Sequence, residues 1–369
     1  MKGNGARPAI AWFRRDLRLD DLPALSEAAV AGHGRVVPLF VADPVLLGRS
    51  GPNRRAFLAG ALESLSAQLG GDLCLRAGNP ATVVPQVAAE VGAKVVVVSG
   101  DYAPYGRRRD SEVGALLAAS GVELRVAGSS YVHSPGTVRS AGSGRLQTFS
   151  SYFRAWERFG WPAPRPAPAF DIMAIESTAQ VADVLGPVGP PAPLARAGLP
   201  DWWGSLPLGR AVALPDAGEE VAAQALGDFL AKHLDGYPGS RDMLGSEGTS
   251  HLSPYLRFGC LHPRTVLEAA GTGRGADRLR AELAWREFYA DVLWHEPRSA
   301  REPLQSFGHH LRWDTGAKAQ DRFRAWATGH TGFPLVDAAM RQLLLEGWVH
   351  NRARMVAASF LVKDLHLDW

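Results

Sequence analysis

Val95-Val96-Val97-Val98 is the run that decides the fold class, because consecutive β-branched residues are typical of a strand buried on both faces. Shorter apolar runs lie on either side of it, separated by stretches with helical spacing. This alternation predicts a parallel sheet covered by helices. The expected strands span residues 9–13, 35–41, 73–76, 93–99 and 122–126, and the expected helices span 22–31, 55–69, 81–91 and 107–120.

The pattern changes after this sheet. Residues 129–215 show no steady period and contain proline-rich runs at 162–168 and 186–191, which predict an irregular connector. Helical spacing returns afterwards, with expected helices at 219–233, 263–270, 278–293, 319–328, 335–346 and 350–369. The predicted organisation is an α/β, Rossmann-like domain with five parallel strands (1–130), a linker (131–215) and an all-α domain (216–369).

Composition narrows the class of protein. Hydrophobic residues make up 46% and charged residues 21% of the 369 residues, as in ordinary globular proteins. No run approaches the ~20 apolar residues of a membrane span, and no signal peptide is visible. Two distant cysteines, Cys74 and Cys260, argue against a disulfide framework or a metal site and favour the cytoplasm. A net charge of +3 permits a nucleic-acid partner without requiring one.

The turn after the first expected strand lacks the Gly-x-Gly-x-x-Gly fingerprint of dinucleotide enzymes and carries Arg14-Arg15-Asp16 instead. The motif that would have supported a dehydrogenase is therefore missing. An α/β nucleotide-binding protein of the electron-transfer-flavoprotein type would explain residues 1–128 alone.

Three polar groups in the helical part suggest a binding site. Hydroxyl side chains after Gly248 could surround a diphosphate or could simply cap a helix. Glu282, Trp285 and Arg286 share one helix face, which suits a cavity but also suits an exposed ion pair beside a core tryptophan. Asn351, Arg354 and Met355 repeat this arrangement on a later helix.

Five segments together resemble the photolyase and cryptochrome flavoproteins, especially the class I cyclobutane pyrimidine dimer photolyases. They are residues 12–19, 248–254, 285–289, 332–341 and 347–355. The resemblance covers the whole chain. It implies light-driven repair of DNA that contains pyrimidine dimers, by electron transfer from reduced FAD, in a protein expected to be a monomer. The alternative within the family is a cryptochrome-type blue-light sensor, or a DASH-type protein, without duplex repair.

The resemblance also implies the roles of individual residues. It implies that Arg354 and Asp364 form an ion pair over the flavin ring. The full set of expected FAD contacts is Tyr237, Thr249, Ser250, His251, Leu252, Ser253, Arg286, Asn351, Arg354 and Asp364. The family usually has a basic residue or glycine where His251 stands.

For DNA, the resemblance implies that Glu282 hydrogen-bonds the flipped-out dimer and that Trp285 stacks on it. The full set of expected DNA contacts is Arg241, Glu282, Trp285, Tyr289, Asn351, Arg352 and Met355. The residues expected to act in catalysis are Glu282, Asn351 and two members of the tryptophan chain that photoreduces FAD, Trp313 and Trp369. Asn351 followed by Met355 favours dimer repair over signalling.

A second, light-harvesting chromophore is expected at Arg54, Ser99 and Asp101, because residues 101–107 are similar to those of deazaflavin-binding members. The expected antenna is 8-hydroxy-5-deazaflavin, with methenyltetrahydrofolate as the alternative. These residues could equally be a strand end and a helix start without a ligand.

Family members continue beyond Leu367-Asp368-Trp369 with a segment that supplies further flavin contacts. The resemblance therefore implies an incomplete FAD-binding domain that ends inside the helix predicted at 350–369. Weak FAD binding and loss of repair by this chain alone are the corresponding expectations.

Overall fold

The computed structural model describes residues 7–139, 146–185 and 214–369. The proline-rich run at 186–191 lies outside the described residues. The predicted domain boundaries at 130 and 215 stay predictions.

A parallel sheet forms the N-terminal part, as the sequence predicts. Its strands are β1 (Ala9–Phe13), β2 (Arg35–Ala42), β3 (Cys74–Ala77), β4 (Val95–Gly100) and β5 (Glu123–Ser129), in the order β3-β2-β1-β4-β5. Ile10 lies between Val37 and Val96 at the centre of the sheet. A short sixth strand, β6 (Asp171–Ile172), pairs with the start of β2 and was not predicted. The strand order reverses between β1 and β4, so a crevice opens beyond the carboxyl ends of these two strands.

Helices cover both faces of the sheet and confirm the predicted fold class. They are α1 (Pro23–Ala31), α2 (Pro44–Leu47), α3 (Pro52–Gln68), α4 (Pro80–Val91) and α5 (Pro104–Ala119). Each begins with proline, whose fixed φ and missing N–H suit the first helical position. Apolar side chains form a separate core on each face of the sheet.

The connector contains regular structure that the sequence analysis missed. Helix α6 (Phe149–Phe159) buries Tyr152, Ala155 and Trp156, which have helical spacing, and packs against a helix of the C-terminal part. A further short helix, α7 (Val181–Leu185), packs on α3. The prediction of an irregular connector is therefore wrong over α6, because the prolines begin only after the helix has ended.

The C-terminal part is helical, as predicted. It consists of α8 (Glu219–Lys232), α9 (Tyr237–Ser240), α10 (Ser253–Phe258), α11 (Pro263–Ala270), α12 (Arg274–His295), α13 (Ala317–Ala327), α14 (Pro334–Glu346) and α15 (Asn351–Lys363). Among the described residues, none of the helices has the length and apolar character of a bilayer span.

The last helix is shorter than the sequence predicts. Asp364 caps α15, His366 adopts a left-handed φ of 52°, and the Leu367 amide donates to the Leu361 carbonyl. The prediction that the helix continues to Trp369 is therefore wrong, since the final residues fold back on α15.

The two parts of the molecule meet at backbone contacts near Gly259. A Cβ at Gly259 would collide with the backbone of Arg15 and Asp16, and the Leu17 amide donates to the Phe258 carbonyl at 3.2 Å. The buried Arg18 guanidinium donates to the Gly259 carbonyl at 3.0 Å. This close approach fixes the position of α10 relative to β1.

Beside that contact lies a buried polar cluster. The ring of His262 caps α11 by accepting from the Arg264 amide through Nδ1 at 3.1 Å, and its Nε2 lies 3.0 Å from the Ser129 carbonyl. Asp21 pairs with Arg264 at 2.7 Å. Burial, opposed in part by Asp21, lowers the pKa of His262 to about 4. Nδ1 also lies 3.2 Å from Asp21 Oδ2, and with the lowered pKa the ring is neutral at pH 7.

Two carboxylates of α12 fix the segment that follows β5. Glu287 accepts hydrogen bonds from the Val132 amide, from the His133 amide at 3.1 Å and from Trp156 Nε1 at 2.7 Å. Four residues further along the helix, Asp291 accepts from the Gly136 amide at 2.7 Å. Burial raises the pKa of Glu287 to about 7. These bonds join β5, α6 and α12 into one unit.

Candidate functional site

A cavity of about 1190 Å³ lies where the α/β part meets the helices. Segments that are distant in sequence form its wall, including the turn after β1, helix α3, the segment from α9 to α10, and helices α12 and α15. Most of the residues predicted to bind FAD line it: Tyr237, Thr249, Ser250, His251, Leu252, Ser253, Arg286, Asn351 and Arg354. The structure therefore brings together side chains that the sequence analysis could associate only by resemblance.

The loop from Gly248 to Ser253 forms one wall. A Cβ at Gly248 would come within 2.6 Å of the Ser240 side chain, so only glycine fits where the loop crosses α9. The hydroxyl oxygen of the next residue, Thr249, is buried without a hydrogen-bond partner. An unpaired buried hydroxyl costs free energy, so it indicates a place where a polar ligand could bind.

His251 adopts a left-handed φ of 50° and stacks on Trp348 with ring centroids 4.0 Å apart. This backbone conformation favours glycine, which adopts a positive φ without strain. Burial lowers the pKa of His251, so a neutral ring faces the cavity at pH 7.

Helix α12 contributes Glu282 and Arg286 to the opposite wall. Glu282 pairs with Arg241 and, at 3.2 Å, with Arg278. The Arg286 guanidinium donates to the carbonyls of Ser130 and Leu256 at 2.8 and 3.2 Å. Arg286 therefore spans the two parts of the molecule, while burial lowers its pKa.

Helix α15 presents Asn351 and Arg354 to the cavity, but Met355 lies outside its lining and is half exposed. The Asn351 amide nitrogen is 3.9 Å from the Met355 sulfur. Arg354 and Asp364 are both described, and no ion pair joins them. The implied pair is therefore absent from this structure, because Asp364 caps the exposed end of α15.

Trp285 does not line the cavity. Phe149 of α6 stacks on it with ring centroids 3.7 Å apart and planes 6° from parallel, and Tyr289 lies 5.6 Å away on the same helix. In this structure Trp285 therefore does not share the cavity wall with Glu282, because Phe149 of α6 covers the indole, and its stacking on the dimer stays a prediction. Tyr289 is largely exposed beside it.

Trp313 is half-buried and Trp369 is exposed. The Asp314 amide donates to the His366 carbonyl at 2.9 Å, so the chain segments of the two tryptophans are neighbours. Within the described parts of the chain, no ring contact joins the two indoles.

The three residues predicted to bind an antenna do not form one group. Ser99 lies near the end of β4 and Asp101 follows the strand, and the Ser99 hydroxyl is buried without a partner. Asp101 accepts hydrogen bonds from Arg15 at 3.1 Å and from the Ala103 amide at 3.2 Å. Arg54, by contrast, lines the large cavity from α3.

Arginines dominate the charge of the cavity wall. Its cationic members are Arg15, Arg54, Arg241, Arg257, Arg286 and Arg354. Desolvation, with Arg15 and Arg54 nearby, lowers the pKa of Arg257 to about 10. Carboxylates partner only part of this charge, so the wall favours an anionic ligand. Sequence reasoning missed Arg15 and Arg257, whose relation to the cavity depends on the contact at Gly259.

At the rim, Asp242 lies between two arginines of different elements. Its Oδ1 accepts from Arg241 Nε at 3.2 Å and from Arg352 Nε at 2.7 Å. The hydrogen bond from Arg352 is the largest cause, and together with the one from Arg241 it lowers the pKa of Asp242 to about 2. The rim cluster, defined as Arg241, Asp242, Glu282 and Arg352, thus connects α9, α12 and α15.

Comparison with known proteins agrees with this geometry. Residues 9–169 match the DNA photolyase family, and residues 279–369 match the FAD binding domain of DNA photolyase. The chain is 34% identical to a deoxyribodipyrimidine photo-lyase of Synechococcus, covering 99% of this chain and 76% of the relative. It is 38% identical to the enzyme of that name from Streptomyces griseus, covering 98% and 76%.

The chain belongs to the photolyase and cryptochrome family. Among solved structures it is similar to a class III photolyase of Agrobacterium tumefaciens, with a TM-score of 0.85, 30% identity and coverage of 100% of this chain and 75% of the other. It is also similar to a Synechocystis cryptochrome, with a TM-score of 0.84, 25% identity and coverage of 100% and 77%. Family membership and the second domain match assign FAD as the cofactor. They leave repair and light sensing as separate possibilities.

Proposed function

We propose that the cavity binds FAD and that the chain uses it to repair cyclobutane pyrimidine dimers in DNA under blue light. The single observation that carries the proposal is the convergence of the Thr249–Ser253 loop, Glu282 and Asn351 on one cavity rich in arginine. Residues 1–130 would then form the antenna domain, 131–215 the linker and 216–369 the FAD-binding domain.

The residues present fit FAD in size and charge. The cavity exceeds the ≈ 300–1,000 Å³ of typical small-ligand pockets, as a dinucleotide requires. The unpartnered Thr249 hydroxyl can donate to a phosphate oxygen, and the arginines can balance a diphosphate. Tyr237, Ser250, His251, Leu252 and Ser253 would enclose the rest.

Bound FAD supplies light-driven electron transfer, and the protein supplies binding and orientation. Glu282, held by Arg241 and Arg278, would accept a hydrogen bond from an N–H of the dimer and so position it, while the two arginines beside it would favour negative charge there. Asn351 has both a donor and an acceptor, so it can bridge the flavin and a pyrimidine carbonyl. Trp313 and Trp369 would carry electrons to FAD from the surface.

The dimer would leave the duplex to reach the cavity, because an enzyme that acts on a base cannot reach it inside the stacked helix. Arg241 and Arg352 at the rim would contact the DNA backbone, and the exposed ring of Tyr289 would pack against neighbouring bases. Trp285, which Phe149 covers in this structure, and the half-exposed Met355 would be further contacts to the dimer.

The test uses the purified chain and a dimer-containing oligonucleotide under blue light. We expect FAD to copurify and intact pyrimidines to appear in light but not in the dark, whereas the expectation from the family resemblance is weak FAD binding and no repair by this chain alone. FAD binding without light-dependent repair would contradict the repair proposal and favour a light sensor. Glu282→Gln should lower the quantum yield of repair more than the affinity for DNA.

For the antenna, we propose 8-hydroxy-5-deazaflavin in the crevice beyond β1 and β4. The buried, unpartnered hydroxyl of Ser99 and the indole nitrogen of Trp12, also without a partner, support a ligand there. Asp101 would act through its hydrogen bonds to Arg15 and the Ala103 amide, whereas Arg54 lines the FAD cavity. Reconstitution with the deazaflavin should extend the action spectrum; reconstitution only with methenyltetrahydrofolate would contradict this choice.

A cryptochrome-type sensor is the second candidate, because the Synechocystis cryptochrome has a similar fold over the whole chain. Asn351 and Met355 favour repair. Separate assays on single-stranded and double-stranded dimer substrates distinguish duplex repair from DASH-type activity.

A further inference from the structure

The rim cluster holds a carboxylate oxygen between two guanidinium groups. Arg241 comes from the end of α9 and Arg352 from the first turn of α15, yet the Nε atoms of both point to the same oxygen, Oδ1 of Asp242. Two guanidinium groups that converge on one oxygen form an anion site, and guanidinium binds carboxylate and phosphate in the same geometries.

The Asp242 carboxylate, which occupies this anion site, is held by a partly exposed ion pair. The side chain of Asp242 is 51% exposed and that of Arg352 is 39% exposed, whereas the side chain of Arg241 is only 8% exposed. Exposed ion pairs contribute only about 0–1 kcal/mol, so displacing the carboxylate costs little. The buried Arg241 keeps its position because its Nη1 also bonds Glu282 on α12.

We propose that Asp242 is a built-in phosphate mimic: it holds Arg241 and Arg352 together in the free protein and gives up its place to one DNA backbone phosphate. This inference rests on the proposed function, since it takes DNA as the ligand of the rim. Asp242 is then a positioning residue that sets the spacing of two cationic side chains. Its carboxylate competes with the phosphates of nonspecific DNA for the two guanidinium groups.

The proposal has a signature in the salt dependence of binding. In the free protein Asp242 serves as the counterion of the two arginines, so DNA binding releases fewer solution ions than two free arginines would release. In Asp242→Asn, solution ions must replace the lost charge and are released on binding. We expect Asp242→Asn to bind undamaged duplex about three- to fivefold more tightly at low salt. The slope of log affinity against log salt should steepen by about one.

Asp277→Asn is the matched control, because Asp277 is an exposed carboxylate that pairs with Arg280 on α12 and does not line the cavity. It should leave both affinity and slope unchanged. FAD content and the unfolding midpoint check that each variant is folded. Weaker binding by Asp242→Asn with an unchanged or shallower slope would overturn the proposal, since Asp242 would then only order the rim.

Because the binding test uses undamaged duplex, its outcome is independent of the repair assay. If the wild-type chain binds DNA but never repairs dimers, the proposed repair function fails while the Asp242 comparison stands. If the wild type binds DNA without salt dependence, the phosphate-mimic proposal fails whatever the repair assay gives.

Discussion

At the scale of single residues, the most informative atom is one without a partner. Thr249 Oγ1 is buried in the cavity wall and makes no hydrogen bond, although the loop that carries it is closely packed against Ser240. The sequence predicted this hydroxyl as a ligand only through resemblance, because a Ser- and Thr-rich turn is equally typical of a helix cap. The structure argues against the cap, because the Thr249 hydroxyl bonds no helix amide and Leu252 stands at the N-cap of α10.

Thr249→Val keeps the shape of the side chain and removes the hydroxyl. We expect the dissociation constant of FAD to rise about tenfold, since a hydrogen bond to a charged group contributes about 1.5 kcal/mol. Equilibrium dialysis of the apoprotein with FAD measures it. Thr82→Val, at an exposed position of α4, is the control and should bind FAD as the wild type does. Equal affinities in both variants would remove Thr249 from the proposed site.

At the scale of elements, α6 marks where sequence reasoning failed. The strands were predictable because burial on both faces requires continuous apolar runs, and most helices because burial of one face imposes a period of 3.6. Helix α6 is short, so its helical spacing of buried residues covers only a few positions and lies next to proline-rich sequence. Its partner α12 is distant along the chain. The stack of Phe149 on Trp285, which changes the expected role of that tryptophan, is a tertiary contact that no local pattern encodes.

Phe149→Ala should destabilise the protein by about 1–3 kcal/mol, because it removes a stacked ring and leaves a gap beside Trp285. Urea unfolding followed by tryptophan fluorescence measures the change. Phe159→Ala, at the exposed end of the same helix, should cost clearly less. Equal losses in the two variants would show that the stack contributes nothing of its own.

At the scale of the whole molecule, the cavity exists because two parts of the chain meet. Fold class and the general location of the site were predictable from periodicity and from strings with a family resemblance. Arg15, Arg54 and Arg257 could not be associated with the cavity, because their convergence depends on the backbone contact at Gly259. The early end of α15 was also beyond prediction, since the reversal at His366 depends on tertiary hydrogen bonds.

The junction should respond to acid through His262. Its pKa is about 4 in the folded protein and lies below the usual value of 6.5, so the unfolded chain binds more protons between these limits. Stability present above pH 6.5 is therefore lost as the pH falls towards 4, by about 2.5 kcal/mol at pH 4.5.

His262→Asn keeps a capping acceptor and removes the titration. The fall in unfolding free energy between pH 7 and pH 4.5, measured in urea, should be smaller by about that amount in this variant. His309→Asn, at an exposed position, should retain the wild-type fall. An unchanged fall in His262→Asn would contradict a neutral buried ring.

The two acceptors on α12 have a consequence for chimaeras of related chains. Glu287 and Asp291 are one helical turn apart, and they receive amides at Val132, His133 and Gly136 in the same order. Deleting one residue between His133 and Gly136 would leave a donor or a carboxylate buried alone. Recombination that exchanges residues 130–137 should therefore exchange residues 283–295 from the same parent, even though the two blocks are far apart in the gene.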